Sequence, residues 1–370
     1  ISFLWLVCYG SFYPLYLRLN MHIAIDITPL ESGHQVRGVG SYTKLLVEAL
    51  QTYEKSHSYS FFTRGQKVSG KADLVHCTYF DPFFLTLPLI KQKPVVVTVH
   101  DLIPLAYPSR FPRGIRGNVT WLIQKWSLAG AKRVITDSIV SQQDIHRITG
   151  VALDRIDVVY LAPSADFRPI KDQTVLSRIK AKYGLPGTFI LYVGDVNWNK
   201  NIIGMLKAFQ DLKQVKLVLV GNAFTDEHLT EAQEINRMIR SLELTKNIVK
   251  PGFVPDEDLV ALYNLATVYV QPSFAEGFGL PILEAMACGC PVVAAAGSSL
   301  SEISGPAISV NSNDPQDIAK GIRHVLLFSP AQRKSLISAE LDWVRSFSWK
   351  KVAHETVRSY EKCIDYHSGI

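Results

Sequence analysis

No two cysteines are spaced as CxxC: Cys8, Cys77, Cys288, Cys290 and Cys363 form an odd, scattered set. That excludes a disulfide framework and suits a reducing compartment, so a cytoplasmic protein is expected. Dense runs of lysine and arginine are missing as well. The net charge of +6 is mild; it is compatible with an anionic substrate or an acidic membrane surface, but the chain lacks the basic stripe of a nucleic-acid binder. There is no disordered tract either: 47% of the residues are hydrophobic and the mean hydropathy is +0.11. At 370 residues the chain can form two domains, each with its own core.

Residues 1–20 lack what a leader needs. The segment from Ile1 to Leu17 is uncharged and aromatic, but it has no basic start and no small-residue cleavage site, and with Gly10 and Pro14 it is at the lower limit for a membrane span. Met21 directly precedes the first apolar strand. Residues 1–20 are therefore expected to be an extension outside the fold, with an interfacial anchor as the alternative.

Charge is scarcest where the chain is most informative. Between Leu259 and Ser301 the charged residues are Glu276 and Glu284 alone, in a protein that is 19% charged; average composition would place roughly eight there. Two carboxylates in so apolar a run belong with partners or at a cleft. The strand around Val268 to Val270 leads into Gly277 and Gly279, where backbone can approach a ligand closely, and Pro281 suits the first turn of a helix that stops near Gly289. Amides of a glycine turn at a helix start form an anion site, here for a diphosphate. Glu284, one turn into that helix, is placed to accept hydrogen bonds from ribose hydroxyls, leaving Glu276 on the sugar side. A buried turn unit with two satisfied acids is the plain alternative.

Glu276 and Glu284 around Gly-Phe-Gly-Leu-Pro, followed by Glu-Ala-Met-Ala-Cys-Gly-Cys-Pro-Val-Val, resemble the E-x7-E signature of the GT4 retaining glycosyltransferases. The match covers about twenty contiguous positions, with weaker echoes from Met21 to the last helix. The resemblance implies the α/β GT-B fold: two Rossmann-like doubly wound domains facing across a cleft, and a C-terminal helix that crosses back to the first. The chain divides accordingly into residues 21–165, an acceptor domain; 166–347, a nucleotide-sugar donor domain; and 348–370, the returning helix. Strand and helix patterns alternate in both domains, and VVVTV before His100 is the unbroken run of a sheet covered on both faces. Strands are expected at residues 22–27, 73–78, 94–100, 133–136 and 157–161, then at 189–193, 216–220, 248–250, 268–270 and 291–294. The turn-rich residues 162–169 separate the two sets.

Other motifs weigh less. Gly38-Val39-Gly40 is expected as a loop at the first sheet's edge; a dinucleotide fingerprint would need glycine where Thr43 stands. His100 and Asp101 end a strand on the crevice side. Asp256-Glu257-Asp258 contains a DxD, yet after Pro255 and before an apolar run it fits a helix cap with acids in the first turn better than a metal site. By resemblance, the catalytic residues are Glu276, His100 and Lys200, and the donor is bound by Gly40, Val254, Gly277, Phe278, Gly279, Leu280 and Glu284. Many GT4 proteins add an arginine just after the glycine at position 194; Asp195 and Val196 do not supply it.

The expected activity is retaining transfer of a sugar, mannose as first guess, from a nucleoside diphosphate sugar (GDP-mannose) to a hydroxyl of a glycan or lipid-linked acceptor. No metal or other cofactor is expected, nor any nucleic-acid partner; peripheral contact with the inner face of a membrane is compatible. The rivals are a nicotinamide oxidoreductase, a glycosidase, and a nucleotide-sugar-binding or epimerase-type GT-B protein without transfer.

Overall fold

In a computed structural model that describes residues 20–31, 38–212 and 214–365, the apolar runs pair in parallel, as strands buried on both faces do. The first sheet holds β1 (His22–Asp26), β2 (Ser58–Phe62), β3 (Leu74–Cys77), β4 (Val95–Thr98), β5 (Arg133–Thr136) and β6 (Ile156–Val158), in the order β2-β1-β3-β4-β5-β6. The second holds β7 (Phe189–Val193), β8 (Lys216–Val220), β9 (Ile248–Gly252), β10 (Val268–Gln271), β11 (Val292–Ala295) and β12 (Ile308–Val310), in the order β12-β11-β10-β7-β8-β9. Strand order reverses between β1 and β3 in one sheet and between β7 and β10 in the other. Loops leaving the carboxyl ends of strands at such a reversal line a crevice, so each sheet has one natural place for a ligand.

Two strands were not expected, β2 and β12, and each is one of the two edge strands of its sheet. Covered on one edge only, β2 has no buried residue and serine at two of five positions, and β12 is three residues long. Neither has the continuous apolar run that marks a central strand.

The chain leaves the first sheet through residues 162–172, where Phe167 is buried and the Ile170 amide donates to Asn264 Oδ1 at 2.7 Å. It returns in the helix Trp349–Asp365, which lies against the helix Gly38–Tyr53 and strands of the first sheet. Val352, Ala353, Val357, Tyr360 and Cys363 bury their side chains there. Inside that packing, His76 Nδ1 meets the Tyr360 hydroxyl at 2.7 Å and its Nε2 meets Thr98 Oγ1 at 2.8 Å. Burial pushes the His76 imidazole down to about 3, so it is a neutral bridge between two hydroxyls.

Two expectations need correction. Gly40 is not in a loop: the helix begins at Gly38, and Gly40 is buried in its first turn. The acids of residues 256–258 do stand in the first turn of a helix, Asp256–Leu265, but the cap position is Pro255 and no side chain caps it. Asp258 instead accepts from Lys182 Nζ at 2.5 Å and from the Tyr183 hydroxyl at 2.6 Å, tying this helix to Gln173–Lys182. The segment 1–19 lies outside the described residues, so its expected role as an extension is not addressed. Cys77, Cys288, Cys290 and Cys363 are buried free thiols.

Candidate active site

The loops that leave β7 and β10, the strands flanking the reversal in the second sheet, carry Lys200 and Glu276. Lys200 Nζ reaches Glu276 Oε2 at 2.7 Å, and the other carboxylate oxygen accepts from Gln271 Nε2 at 2.9 Å and Ser273 Oγ at 2.7 Å. Burial works against the charge on Lys200, but Glu276, Asp101 and Asp195 outweigh it and hold the ammonium above its ordinary range. Asparagines brace both loops: Asn199 Nδ2 donates to the Ala275 carbonyl at 2.9 Å, and Asn201 Nδ2 to the Pro272 carbonyl at 3.0 Å.

The glycines then explain themselves. A Cβ on Gly277 would stand 2.9 Å from Asp101 Oδ2 and 3.1 Å from the His100 carbonyl, both on the first sheet's side of the cleft. Gly279 has φ +103, and a Cβ there would stand 2.4 Å from Leu300 Cδ2. Gly279 is the residue that opens the helix Leu280–Ala287; no side chain caps that helix, and Pro281 occupies its first turn. Uncapped amides with the positive end of a helix suit an anion. Phe278 does not turn its ring to this cleft: it is buried against Tyr160 and Phe347, so only its backbone is available to a ligand. Val254 is likewise part of the hydrophobic core.

Glu284 is half-buried, one turn into the helix, and its Oε2 accepts from the Tyr263 hydroxyl at 3.1 Å. Burial pushes this carboxyl up to about 7, against the pull of Tyr263. An acid poised near neutrality is stabilised in its ionised form by any added hydrogen-bond donor.

Across the cleft, His100 Nδ1 lies 2.6 Å from Asp137 Oδ2, and Tyr42 meets the imidazole edge-on with centroids 4.6 Å apart. A carboxylate only accepts, so Nδ1 carries the proton towards Asp137. Burial alone would lower the His100 pKa; the Asp137 carboxylate, and then Asp101, raise it above the ordinary value. Asp101 Oδ1 accepts from the Ile103 amide at 3.0 Å, and burial raises its pKa.

Sequence reasoning missed the residues that join the two halves. Ser138 and Ser141 Oγ donate to the Gly277 carbonyl at 2.7 and 3.3 Å. Glu302, from the second half, accepts from the Ile139 and Val140 amides at 2.8 and 2.9 Å and from the Tyr160 hydroxyl at 2.8 Å. It thus caps a helix, Ile139–Thr149, that belongs to the other sheet. Ser298 and Ser299 pin the loop from the same side through the backbone of Glu276 and Phe278. At the cleft edge Tyr107 meets Trp198, which stacks on Phe274 with centroids 5.1 Å apart. Asp137, Glu302 and the serines follow their strands as ordinary polar residues; no local spacing marks them.

Two parallel α/β sheets whose carboxyl edges meet in one cleft, with the final helix crossing back, define the GT-B class. Solved structures agree: sucrose-phosphate synthase from Thermosynechococcus elongatus has a TM-score of 0.72 at 20% identity, covering 94% of this chain and 100% of that one. Anabaena HepE in complex with UDP and glucose also has 0.72, at 18% identity over 92% and 100% of the two chains. Residues 177–340 match the family "Glycosyl transferases group 1", and residues 47–162 match "Glycosyltransferase Family 4". The O-antigen chain mannosyltransferase B of Escherichia coli is 34% identical over 278 residues, 72% of this chain and 70% of that protein. The serotype-specific mannosyltransferase WbdA of Escherichia coli is 29% identical over 276 residues, 73% of this chain, which spans only 33% of that longer protein. The chain belongs to the GT4-type glycosyltransferases and is a sugar-transferring enzyme of the hexosyltransferase kind. No described helix is long and apolar enough to cross a membrane.

Proposed function

We propose that the protein transfers mannose, with retention of configuration, from GDP-mannose to a hydroxyl of a glycan or lipid-linked acceptor. The observation that carries this reading is the convergence, at the strand-order reversal of the second sheet, of Lys200, Glu276 and an uncapped helix start with Glu284 one turn further on. A nucleoside diphosphate fits that set: its ribose on Glu284, its phosphates on the amides of Gly277 to Leu280 and on Lys200, its sugar beside Glu276. The names of the curated relatives, both mannosyltransferases, support the sugar; the UDP in the Anabaena HepE complexes supports a nucleotide donor in this fold.

Heterolysis puts positive charge on the sugar and negative charge on the leaving phosphate, and fixed positive groups at the latter lower the barrier. Lys200 and the helix amides meet that charge. Glu276, its carboxylate held by Lys200, Gln271 and Ser273 of its own half, positions sugar hydroxyls. The acceptor enters from the His100 side on the face the leaving group vacates, and a donor phosphate oxygen takes its proton. Residues 21–165 then form the acceptor side and 166–347 the donor side, with closure excluding water.

A thermal-shift panel of nucleoside diphosphates and nucleotide sugars tests the donor. Ligand at 100 times its dissociation constant adds about 2.7 kcal/mol, a plain upward shift in melting temperature, expected for GDP and GDP-mannose. No shift with any nucleotide, together with hydrolysis of a plain glycoside, would refute transfer. The anomeric configuration of the product, read by proton NMR, tests retention. Transfer should proceed undiminished in EDTA; a rate abolished by EDTA and restored by Mn²⁺ or Mg²⁺ would assign a metal requirement instead.

A further inference from the structure

The helix Gly114–Ala129 buries one face through Trp121, Gln124, Ser127 and Leu128 and leaves an apolar stripe on the other. Ile115, Val119, Leu122 and Trp126 follow at intervals of four, three and four. At about 100° per residue all four fall within an arc of roughly 60°. They are 86%, 53%, 65% and 66% exposed. Glycines do not account for this, nor does a misplaced core face, since the opposite side of the same helix is fully engaged.

A loop bonded to the buried side of that helix carries further exposed apolar side chains. Residues 81–91 are tied to the buried side of that helix by Gln124 Nε2 on the Asp81 carbonyl at 2.9 Å, Ser127 Oγ on the Pro88 carbonyl at 2.8 Å, and Lys91 Nζ on Ser127 Oγ at 2.9 Å. From this anchored loop Phe84, Leu85, Leu89 and Ile90 project with 68%, 52%, 47% and 82% exposure. Among the described residues fifteen large hydrophobic side chains are exposed, and eight of them stand on this one helix and loop. Scattered exposed hydrophobics need no explanation, whereas a concentration of this kind marks a surface that something covers.

Charge says what covers it. Residues 81–137 contain three acids, Asp101 and Asp137 in the cleft and Asp81, whose carboxylate accepts from the Phe83 and Phe84 amides, against eight cations: Lys91, Lys93, Arg110, Arg113, Arg116, Lys125, Lys132 and Arg133. Arg133 is neutralised by Asp157, and Arg110 lies over the Trp198 ring. Arg113 and Arg116 remain at the start of the striped helix, Arg116 exposed and about 100° round from Ile115. A second copy of this chain would bring like charge against like. An anionic bilayer answers both features at once, taking apolar side chains and tryptophan into its interface while arginines reach the headgroups.

We propose that this face, the helix Gly114–Ala129 with the loop 84–90, seats the protein on an anionic phospholipid surface. It rests on nothing assumed about donor or acceptor. The contact is in the plane of the membrane, with the helix lying along the headgroup boundary.

Sedimentation of the full chain with vesicles tests it without any substrate. Binding is expected to vesicles of phosphatidylcholine and phosphatidylglycerol at about 7:3, with little to phosphatidylcholine alone, and to weaken in 0.5 M salt. A Leu122→Ser, Trp126→Ser variant and an Arg113→Glu, Arg116→Glu variant should each lose at least tenfold in vesicle affinity. Leu122, Trp126 and Arg116 are exposed and Arg113 is half-buried, and an unchanged melting temperature verifies the fold. No sedimentation with anionic vesicles would overturn the proposal. So would binding undiminished in both variants, which would place the contact elsewhere in the chain. A dimer in light scattering that Trp126→Ser dissociates would overturn it in favour of a second copy.

Discussion

Lys200 Nζ and Glu276 Oε2 stand 2.7 Å apart, delivered by loops that leave the two strands on either side of the reversal in the second sheet. In the proposed donor complex the cation is thus in place before any phosphate arrives, and its partner is the residue assigned to the sugar. Whatever displaces or shares Lys200 also frees an oxygen of Glu276. On the proposed reading, charge on the diphosphate and orientation of the sugar would be coupled through this one ion pair.

Lys200→Met should therefore lower turnover by about 10²–10³, the cost of removing one preorganised donor to developing charge. Glu276→Gln should also lower it. The double substitution should cost less than the product of the two, because the residues act as a pair. Turnover numbers for the three variants decide this; strictly multiplicative losses would show that the two side chains act independently.

Glu284 predicts a pH dependence. Its carboxyl titrates at about 7 in the fold, mainly through burial, against an ordinary 4.5 when the chain is unfolded. The native state then holds the extra proton between those values, so this group's contribution to stability is full below pH 4.5, declines as pH rises to 7, and is flat above. Glu340, pushed up to about 8 by its own burial, adds a decline of the same sign. Melting temperature of the ligand-free protein followed from pH 5 to 8 should fall less steeply in Glu284→Gln. Binding runs the other way: with the ribose on Glu284 as proposed, its hydroxyls would favour the ionised carboxylate, so nucleoside diphosphate affinity should rise from pH 6 to 8. Calorimetry on wild type and Glu284→Gln isolates the effect from titration of the phosphate itself.

Glu302 predicts how the halves hold together. Its carboxylate takes two backbone amides and a phenol from the other side of the cleft. Hydrogen bonds to a charged group contribute about 1.5–3 kcal/mol each, a scale that decides between closed and open arrangements. Glu302→Ala should increase the radius of gyration in small-angle scattering and weaken donor binding, with little change in helix content by circular dichroism. An unchanged scattering profile would mean that the Ser138–Gly277 contact suffices.

Tyr360→Phe tests the returning helix. It removes the hydroxyl that faces His76 Nδ1 in a closed core, leaving a buried ring nitrogen unsatisfied at a cost of about 1–3 kcal/mol. Urea unfolding should show that loss, and activity should fall only in so far as the fold does.

Much of this was legible in the chain. The apolar runs of β3, β4, β7 and β8 declare a parallel sheet because both faces need covering, and the charge-poor segment around Glu276 and Glu284 declares the cleft because burial tolerates few charges. The membership in the GT4 family, expected from that segment, is established by the comparisons. The edge strands β2 and β12 were hidden since half-covered strands need no continuous pattern. Hidden too were Asp137 and Glu302, which matter through partners 37 and 163 residues away. Such pairings leave no mark in local spacing. Lys200 was expected as a cation for the donor, but not that its neighbour would be Glu276: a periodicity says which residues share a face, not which loops meet.

The His76–Tyr360 bond, finally, sets an order on the making of the protein. Domains tend to fold as they emerge, amino-terminal first. Here the first sheet emerges with a histidine whose hydroxyl partner lies 284 residues downstream. Until the ribosome has delivered the whole second half, the faces of β3, β4 and the helix Gly38–Tyr53 that receive Val352, Val357 and Tyr360 have nothing to pack on them. The half that is born first is completed last, because the helix that closes it is made after every strand of the second sheet.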